Sequence, residues 1–375
     1  MYESRIAADR LTVAAIAGFP PEIDALAGRN LSGHGFLRAA WYRGSGQQQG
    51  RTLLVRRGEA ANQSSSGGEV IAAIPTVSFG PAAVGARKIS GSYWPFRTPL
   101  IAPDCSAFEL AQALEHPAAR SLGPVWRMGP SRMDDPATML MVAAARLAGW
   151  TVLTRPAGTS WMIDLAAARA ENWPRASTAR KLRSYWRKLE ELGTPRWRHV
   201  RGDAWDASVL EGLGLIEAQS WIARSTDGSG AKFISSGQRA VWQHALTDPV
   251  IAQKLAATIL MLDDRPVAFS FDLDDGPVRY GIACSYVEDL KRCNIGKLTN
   301  YRALEDAIVD GQTLMDMGVG DSGYKREMGA AEGCHMADLL FVRSRLAARL
   351  LANVWGTEIT PPTDIALHPQ TLVRG

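Results

Sequence analysis

The sequence predicts an α/β (α+β) chain of two domains, each a mixed, mostly antiparallel sheet flanked by helices. Three observations carry that expectation. The 375 residues could share one large core, but two domains are favoured at this length. Three strand-like runs, ATILMLD, RPVAFSFDL and PVRYGIACS, follow one another, with Asp263-Asp264 and Asp274-Asp275-Gly276 between them. Those turn residues are hairpin chemistry and make an antiparallel meander. Both halves of the chain also run through meander, helix and strand, the order of a duplicated fold, although no internal sequence repeat stands out.

The elements follow in order. LTVAAIAGF is short and preceded by Glu3, Asp9 and Arg10, so it reads as a first strand, not a signal peptide. RTLLVRR (51–57) and EVIAAIPTVSF (69–79) are aliphatic and β-branched and read as strands joined by the polar loop GEAANQSSSGG. A proline- and aromatic-rich loop occupies 89–104. Residues 106–116 have a Ser cap and helical spacing, and 135–149 start with Asp-Pro and end in Gly. TVLTR and TSWMIDL return to strand character. Residues 177–193, STARKLRSYWRKLEELG, form the clearest helix: Ser177 can cap it, and Leu182, Tyr185, Trp186, Leu189 and Leu192 recur at helical spacing. Gly193 ends it, with Pro195 just beyond. Two more helices (about 208–224 and 237–247) precede the meander. Helix 294–311, strand 313–319, a glycine stretch, the strand HMADLLFVRS and the helix SRLAARLLANVW complete the chain.

Composition narrows the function. A hydrophobic fraction of 46% is that of an ordinary soluble protein, and a net charge of +4 is too mild to argue for nucleic acid. Cys105, Cys284, Cys293 and Cys334 contain no C-x-x-C pair. That argues against a zinc site or a secreted disulfide framework and fits a reducing cytoplasm. No apolar run approaches the ~20 residues that span a bilayer. Arg180, Lys181, Arg183, Arg187 and Lys188 crowd the sides of helix 177–193, and Arg196, Arg198 and Arg201 follow. Segment 177–201 is therefore either a solvated basic face or a surface for a phosphate, an anionic polymer or a membrane; both readings stay open.

Residues 316–330, DMGVGDSGYKREMGA, contain two near-matches to phosphate loops. Gly318, Gly320 and Gly323 satisfy G-x-G-x-x-G, but a dinucleotide fingerprint opens a helix within a βαβ unit, and KREMGAAEG makes a poor helix. A P-loop needs Gly-Lys-Ser/Thr, and Gly-Tyr-Lys-Arg lacks the magnesium-binding hydroxyl. Both nucleotide readings are set aside in favour of a glycine-rich turn between strands, carrying Asp321, Tyr324 and Lys325.

With these parts in place, the chain resembles the CelD/BcsL-like branch of the GNAT acyltransferase superfamily, related to the Fem-like peptidyltransferases. Residues 177–193 are similar to the family's opening helix. LMLDDRPVAFSFDLDDGPVRYGIACSY (260–286) is similar to its central hairpin. LTNYRALEDAIVDG followed by TLMDMGVGDSGYKREMGA is similar to its "A-x-x-x-G…fDfG-x-G…YK" ending. The resemblance covers about 160–342. It implies two tandem GNAT-like domains: a degenerate one over 1–165, an acyltransferase domain over 166–355, and a tail over 356–375.

The resemblance also implies a site. Strands 278–285 and 313–319 would splay so that the pantetheine of acyl-CoA pairs with one of them. The CoA pyrophosphate would sit on the loop before helix 294–311, with Arg292, Asn294, Ile295, Gly296 and Lys297 as cofactor-binding residues. One glycine survives there from the superfamily's Q/R-x-x-G-x-G/A pattern. Lys325, Tyr324, Asp321 and Tyr286 are the implied catalytic residues, with no metal. Tyr286 or Tyr324 would act as acid and Asp321 as the group that takes the amine proton. Tyr301 and His244 read as packed helix residues, and Cys293 as an incidental thiol, because no Cys-His-Asn signature surrounds it. The implied activity is acyl-CoA-dependent N-acylation of a cell-envelope, exopolysaccharide or lipid (long-chain amino alcohol) precursor, in a cytoplasmic or membrane-peripheral protein. The alternatives are a Fem-like aminoacyl-tRNA-dependent transferase, the only reading that needs nucleic acid, and a non-catalytic scaffold of polysaccharide synthesis.

Overall fold

The computed structural model describes residues 11–45, 49–58, 68–171, 173–225, 230–320 and 323–359. The expected loop after residue 57 and the tail lie largely outside them. In chain order the first strands are β1 (Leu11–Ala17), β2 (Arg51–Arg57), β3 (Glu69–Ser78), β4 (Arg87–Ile89), β5 (Leu100–Ile101), β6 (Val125–Arg132) and β7 (Thr151–Asp164). Then come β8 (Pro195–Arg201), β9 (Leu255–Leu262), β10 (Arg265–Asp275), β11 (Val278–Tyr286), β12 (Leu314–Val319), β13 (Ala331–Val342) and β14 (Thr357–Glu358). Two compact units divide the chain: Met1–Ala157 with His335–Gly375, and Gly158–Cys334.

In the first unit the strands run β1-β2-β3-β4-β6-β13. The interior of β2 and most of β3 are buried, as their continuous aliphatic runs require. β4 and β6 pair in parallel, at Arg87↔Trp126 and Lys88↔Arg127. Beyond that point the chain fills the gap itself, with Phe96 bridging Ser131. Phe36, Trp41 and Phe96 meet edge to face, with centroids 4.8 to 6.3 Å apart. Helix Ala107–Glu115 starts in a capping box of Ser106 and Glu109, and helix Pro136–Leu147 starts at Asp135, whose side chain accepts the Thr138 N–H.

The second unit orders its strands as the latter half of β7, then β12-β11-β10-β9-β8. β8 to β11 are antiparallel, and Asp263 takes a positive φ of 52° in the β9–β10 turn. One face of this sheet packs Phe269 and Phe271 against Phe233, Trp205 and Trp242. Each ring removes roughly 150–250 Å² from water, worth a few kcal/mol at ~25 cal/mol/Å². The other face carries charge beneath helix Ile295–Val309. Arg279, 2% exposed, reaches both Asp274 oxygens (2.6 and 2.8 Å) and Asp310 (2.6 Å).

Five local expectations change, the first being that the helix expected over about 208–224 is two, Ala207–Ala218 and Trp221–Ser225. TVLTR and TSWMIDL are one continuous strand, because Gly158, at φ 113°, lets the chain pass the Pro156 region without turning. Ser177 lies inside its helix, whose N-cap is Arg175 with no side-chain cap bond. Asp274 and Asp275 belong to β10, where Arg279 and Lys254 pair them, so only Gly276 and Pro277 turn. Residues Tyr324–Glu327 do form a helical turn, four residues long, and β13 begins at Ala331.

Candidate functional site

β11 and β12 pair at three positions, Val278↔Leu314, Arg279↔Met315 and Tyr280↔Asp316, and then part. Two local features separate them. On one side, the register between β10 and β11 skips from Phe271↔Ala283 to Asp272↔Gly281, a bulge that leaves Ile282 without an opposite residue. On the other, the Asp316 Oδ1 accepts the Gly318 N–H (2.7 Å), and Gly318 and Gly320 take positive φ of 78° and 75°. A turn of that hand ends the extended run, and glycine enters it without steric cost. Among the described residues the register between β11 and β12 therefore ends at Tyr280↔Asp316.

A cleft of about 420 Å³ lies within this unit and is lined by Trp221, Cys284, Tyr286, Lys291, Asn294, Ile295, Gly296, Lys297, Asn300, Tyr324, Glu327 and Met328. Helix Ile295–Val309 points its N-terminus here. Asn294 holds a left-handed conformation (φ 53°, ψ 37°) and makes no side-chain cap bond. The positive end of the helix macrodipole thus lies at the cleft, an end that favours negative charge. Gly296 packs on the ring of Tyr286: a Cβ there would stand 2.6 Å from Cδ1.

The structure brings together Tyr286, Asn294, Ile295, Gly296, Lys297 and Tyr324. Tyr324 is 40% exposed, and the Lys297 ammonium donates to Glu327 Oε2 at 3.2 Å. Lys325 points elsewhere. It is 4% exposed, and its ammonium donates to the carbonyls of Gly318 (2.9 Å) and Val319 (3.3 Å), so it holds the turn that ends β12. Arg292 is exposed on the short helix Glu288–Cys293 and does not line the cleft. Asp321 lies outside the described residues. Tyr301 is buried and stacks on Trp173 at 4.9 Å.

Trp221, Cys284, Asn300 and Glu327 are cleft residues that the sequence reading passed over. Cys284 was findable, since it precedes Tyr286 by two on one strand and so shares its face. Trp221 carried no local signal. Behind Cys284, Asp272 on β10 is 1% exposed and accepts from Ser270 Oγ at 3.0 Å. Burial raises its pKa to about 7, with Arg279 opposing the rise. Burial and the nearby Asp272 push the Cys284 thiol up to about 12, which keeps it protonated and a poor nucleophile. Among the described residues no group of three or more His, Cys, Asp or Glu side chains could hold a metal, and no helix is long and apolar enough to cross a membrane.

A splayed parallel pair, a bulge in the strand beside it and a helix N-terminus facing the same cleft are the features of a GNAT-type fold. Residues 176–326 match the acetyltransferase (GNAT) domain family. Among solved structures the chain is similar to FemX at 10% identity, covering 90% of this chain and 99% of that one, with a TM-score of 0.55. It is similar to the tandem GNAT protein from the clavulanic acid biosynthesis pathway at 13% identity, 89% and 99% coverage and a TM-score of 0.51. The L-PGS from Bacillus licheniformis is similar at 14% identity, 89% and 95% coverage and a TM-score of 0.51. No curated protein matches the chain in sequence. These likenesses show the fold, a mixed, mostly antiparallel sheet flanked by helices that is shared with a tandem GNAT protein; the open cleft lies in the second unit.

Proposed function

We propose that the chain is an acyl-CoA-dependent N-acyltransferase whose second unit binds the thioester between β11 and β12. The observation that supports this most is the coincidence, at one cleft, of a parallel strand pair that parts after Tyr280↔Asp316 and a helix N-terminus with no side-chain cap bond. A pantetheine arm, with its two amides, suits the strand edge, and a pyrophosphate suits the helix terminus beside Lys291 and Lys297. The amine of the acceptor attacks the thioester carbonyl, forming the C–N bond. Backbone N–H groups of β11 receive the oxyanion. As the C–S bond breaks, Tyr286 or Tyr324 protonates the thiolate, and Asp321 takes the proton the ammonium loses. Lys325 acts through the backbone of 318–319, as a positioning residue.

Cell-envelope, exopolysaccharide or long-chain amino alcohol precursors are the acceptor classes this reading favours, at a cytoplasmic or membrane-peripheral location. The exposed cations of helix Ala176–Glu190, from Arg180 to Lys188, offer an anionic acceptor or surface a contact. The same cations favour a second reading, an aminoacyl-tRNA donor, which ribonuclease sensitivity of turnover would reveal.

Thermal stability against CoA, acetyl-CoA and palmitoyl-CoA tests the first reading. A ligand at 100 times its Kd adds about 2.7 kcal/mol to the native state. A shift with one thioester identifies donor and chain length together. No shift with any of them overturns the reading, as would unchanged turnover in Tyr286→Phe and Tyr324→Phe together.

A further inference from the structure

We propose that the first unit carries its own anion-binding site, built by Lys88, Arg97, Arg127 and Arg155 and suited to a phosphate or diphosphate group. The topology creates the cluster. Lys88 of β4 and Arg127 of β6 are register partners in the short parallel pairing. Arg97 is tied alongside, because its carbonyl accepts the Gly129 N–H at 3.2 Å. Arg155 comes from β7 and meets Asp338 of β13 at 2.8 Å. Asp338, 5% exposed, also binds Arg127 at 2.7 Å and is the only carboxylate ion-paired with any of the four among the described residues.

Four cations therefore share one acid. Lys88 has no carboxylate partner among the described residues; its ammonium lies over the ring of Phe79 at 5.7 Å. Among the described residues the Arg97 guanidinium makes a long bond from Nε to the Gly91 carbonyl at 3.4 Å. Arg127 and Arg155 lie over Trp355, at 5.6 and 4.2 Å. Such ring contacts hold cations in place without neutralising them. A solvated surface would let like charges spread apart, but here strand register and aromatic rings fix them together. Burial, reinforced by the neighbouring Arg127, lowers the pKa of Arg97; burial and both arginines lower that of Lys88. A bound oxyanion would relieve both effects and supply the missing acceptors. A diphosphate fits better than a carboxylate, since one charge is already provided by Asp338 and three cations remain in excess.

The test is protection of Lys88 from an amine-acylating reagent, read on its own peptide by mass spectrometry in the full chain. Pyrophosphate or a nucleoside diphosphate should cut Lys88 labelling several-fold against sodium chloride at equal ionic strength, leaving labelling of Lys254, which is ion-paired with Asp275, unchanged. Arg155→Gln, whose side chain is 47% exposed and whose loss leaves Asp338 bonded to Arg127, should raise the half-protecting concentration about tenfold, the loss of one charge-assisted bond. Protection by phosphatidylglycerol vesicles, with none by the soluble diphosphates, would assign the phosphate to a lipid headgroup. Equal labelling under chloride, diphosphates and both phosphatidylglycerol and phosphatidylcholine vesicles would overturn the site. So would protection that Arg155→Gln leaves unchanged. Neither result depends on thioester binding in the second unit.

Discussion

Asp272 offers the sharpest link between the sheet and its cleft. It is 1% exposed, bonded to Ser270 Oγ, and its pKa is raised to about 7 by burial. An acid whose folded pKa exceeds its unfolded value of about 3.9 stabilises the fold below the unfolded pKa. That stability is lost as pH rises through the folded pKa, because the native state must then hold a buried charge. Between pH 5 and pH 8 the loss amounts to about 3 kcal/mol, at 1.36 kcal/mol per unit. Asp272→Asn keeps the shape and an acceptor for Ser270 but cannot ionise. Denaturant unfolding of both proteins at pH 5 and pH 8 measures the effect. The stability of the variant relative to wild type should rise by about 3 kcal/mol between the two pH values. If that relative stability is the same at both, Asp272 does not titrate in this window, and its buried neutral state at low pH is refuted.

Other outcomes follow from the same geometry. Gly296→Ala forces a Cβ to 2.6 Å from the Tyr286 ring; the overpacking should cost about 1–3 kcal/mol and weaken thioester binding, checked by denaturation and thermal shift. Arg279→Met leaves the buried Asp274 with Arg201 as its remaining partner and should cost about 3 kcal/mol at pH 7, the low end for a broken buried pair. Burial alone would raise the Asp274 pKa, but bonds from Arg279 and Arg201 hold it below its ordinary value. The wild type should therefore lose this advantage as pH falls through the depressed pKa, and unfolding at pH 3 should show a smaller gap. Lys325→Met removes the donors to Gly318 and Val319, so turnover should drop while the far-ultraviolet dichroism stays native. With its pKa near 12, the Cys284 thiol is about one ten-thousandth ionised at pH 8. Native Cys284 should resist iodoacetamide there and react only after unfolding, as peptide mass spectrometry would show.

The sequence by itself determined what local chemistry controls. Ser106 and Asp135 cap helices because a short oxygen-bearing side chain reaches the free N–H groups of the first turn. The meander of β9, β10 and β11 was legible from its alternation of β-branched runs and Asp or Gly turns. Gly318 and Gly320 were visible as a turn, and both take the positive φ that glycine permits. Tertiary structure decided the rest. Tyr185 and Trp186 recur at helical spacing, yet only Leu189 of helix Ala176–Glu190 is fully buried, because periodicity marks a face without saying how deeply it packs. Lys325 sits beside Tyr324 in sequence, but its ammonium turns inward to two carbonyls, which only the folded turn supplies. Trp221 reaches the cleft from a distant helix, and Asp272 acquires its raised pKa from burial between neighbours contributed by other strands. Lys88, Arg97, Arg127 and Arg155 are scattered singly along the chain, and strand register together with the loop bond from Gly129 to Arg97 gathers them. Desolvation and long-range pairing are properties of assembled surfaces, and no window of sequence contains them.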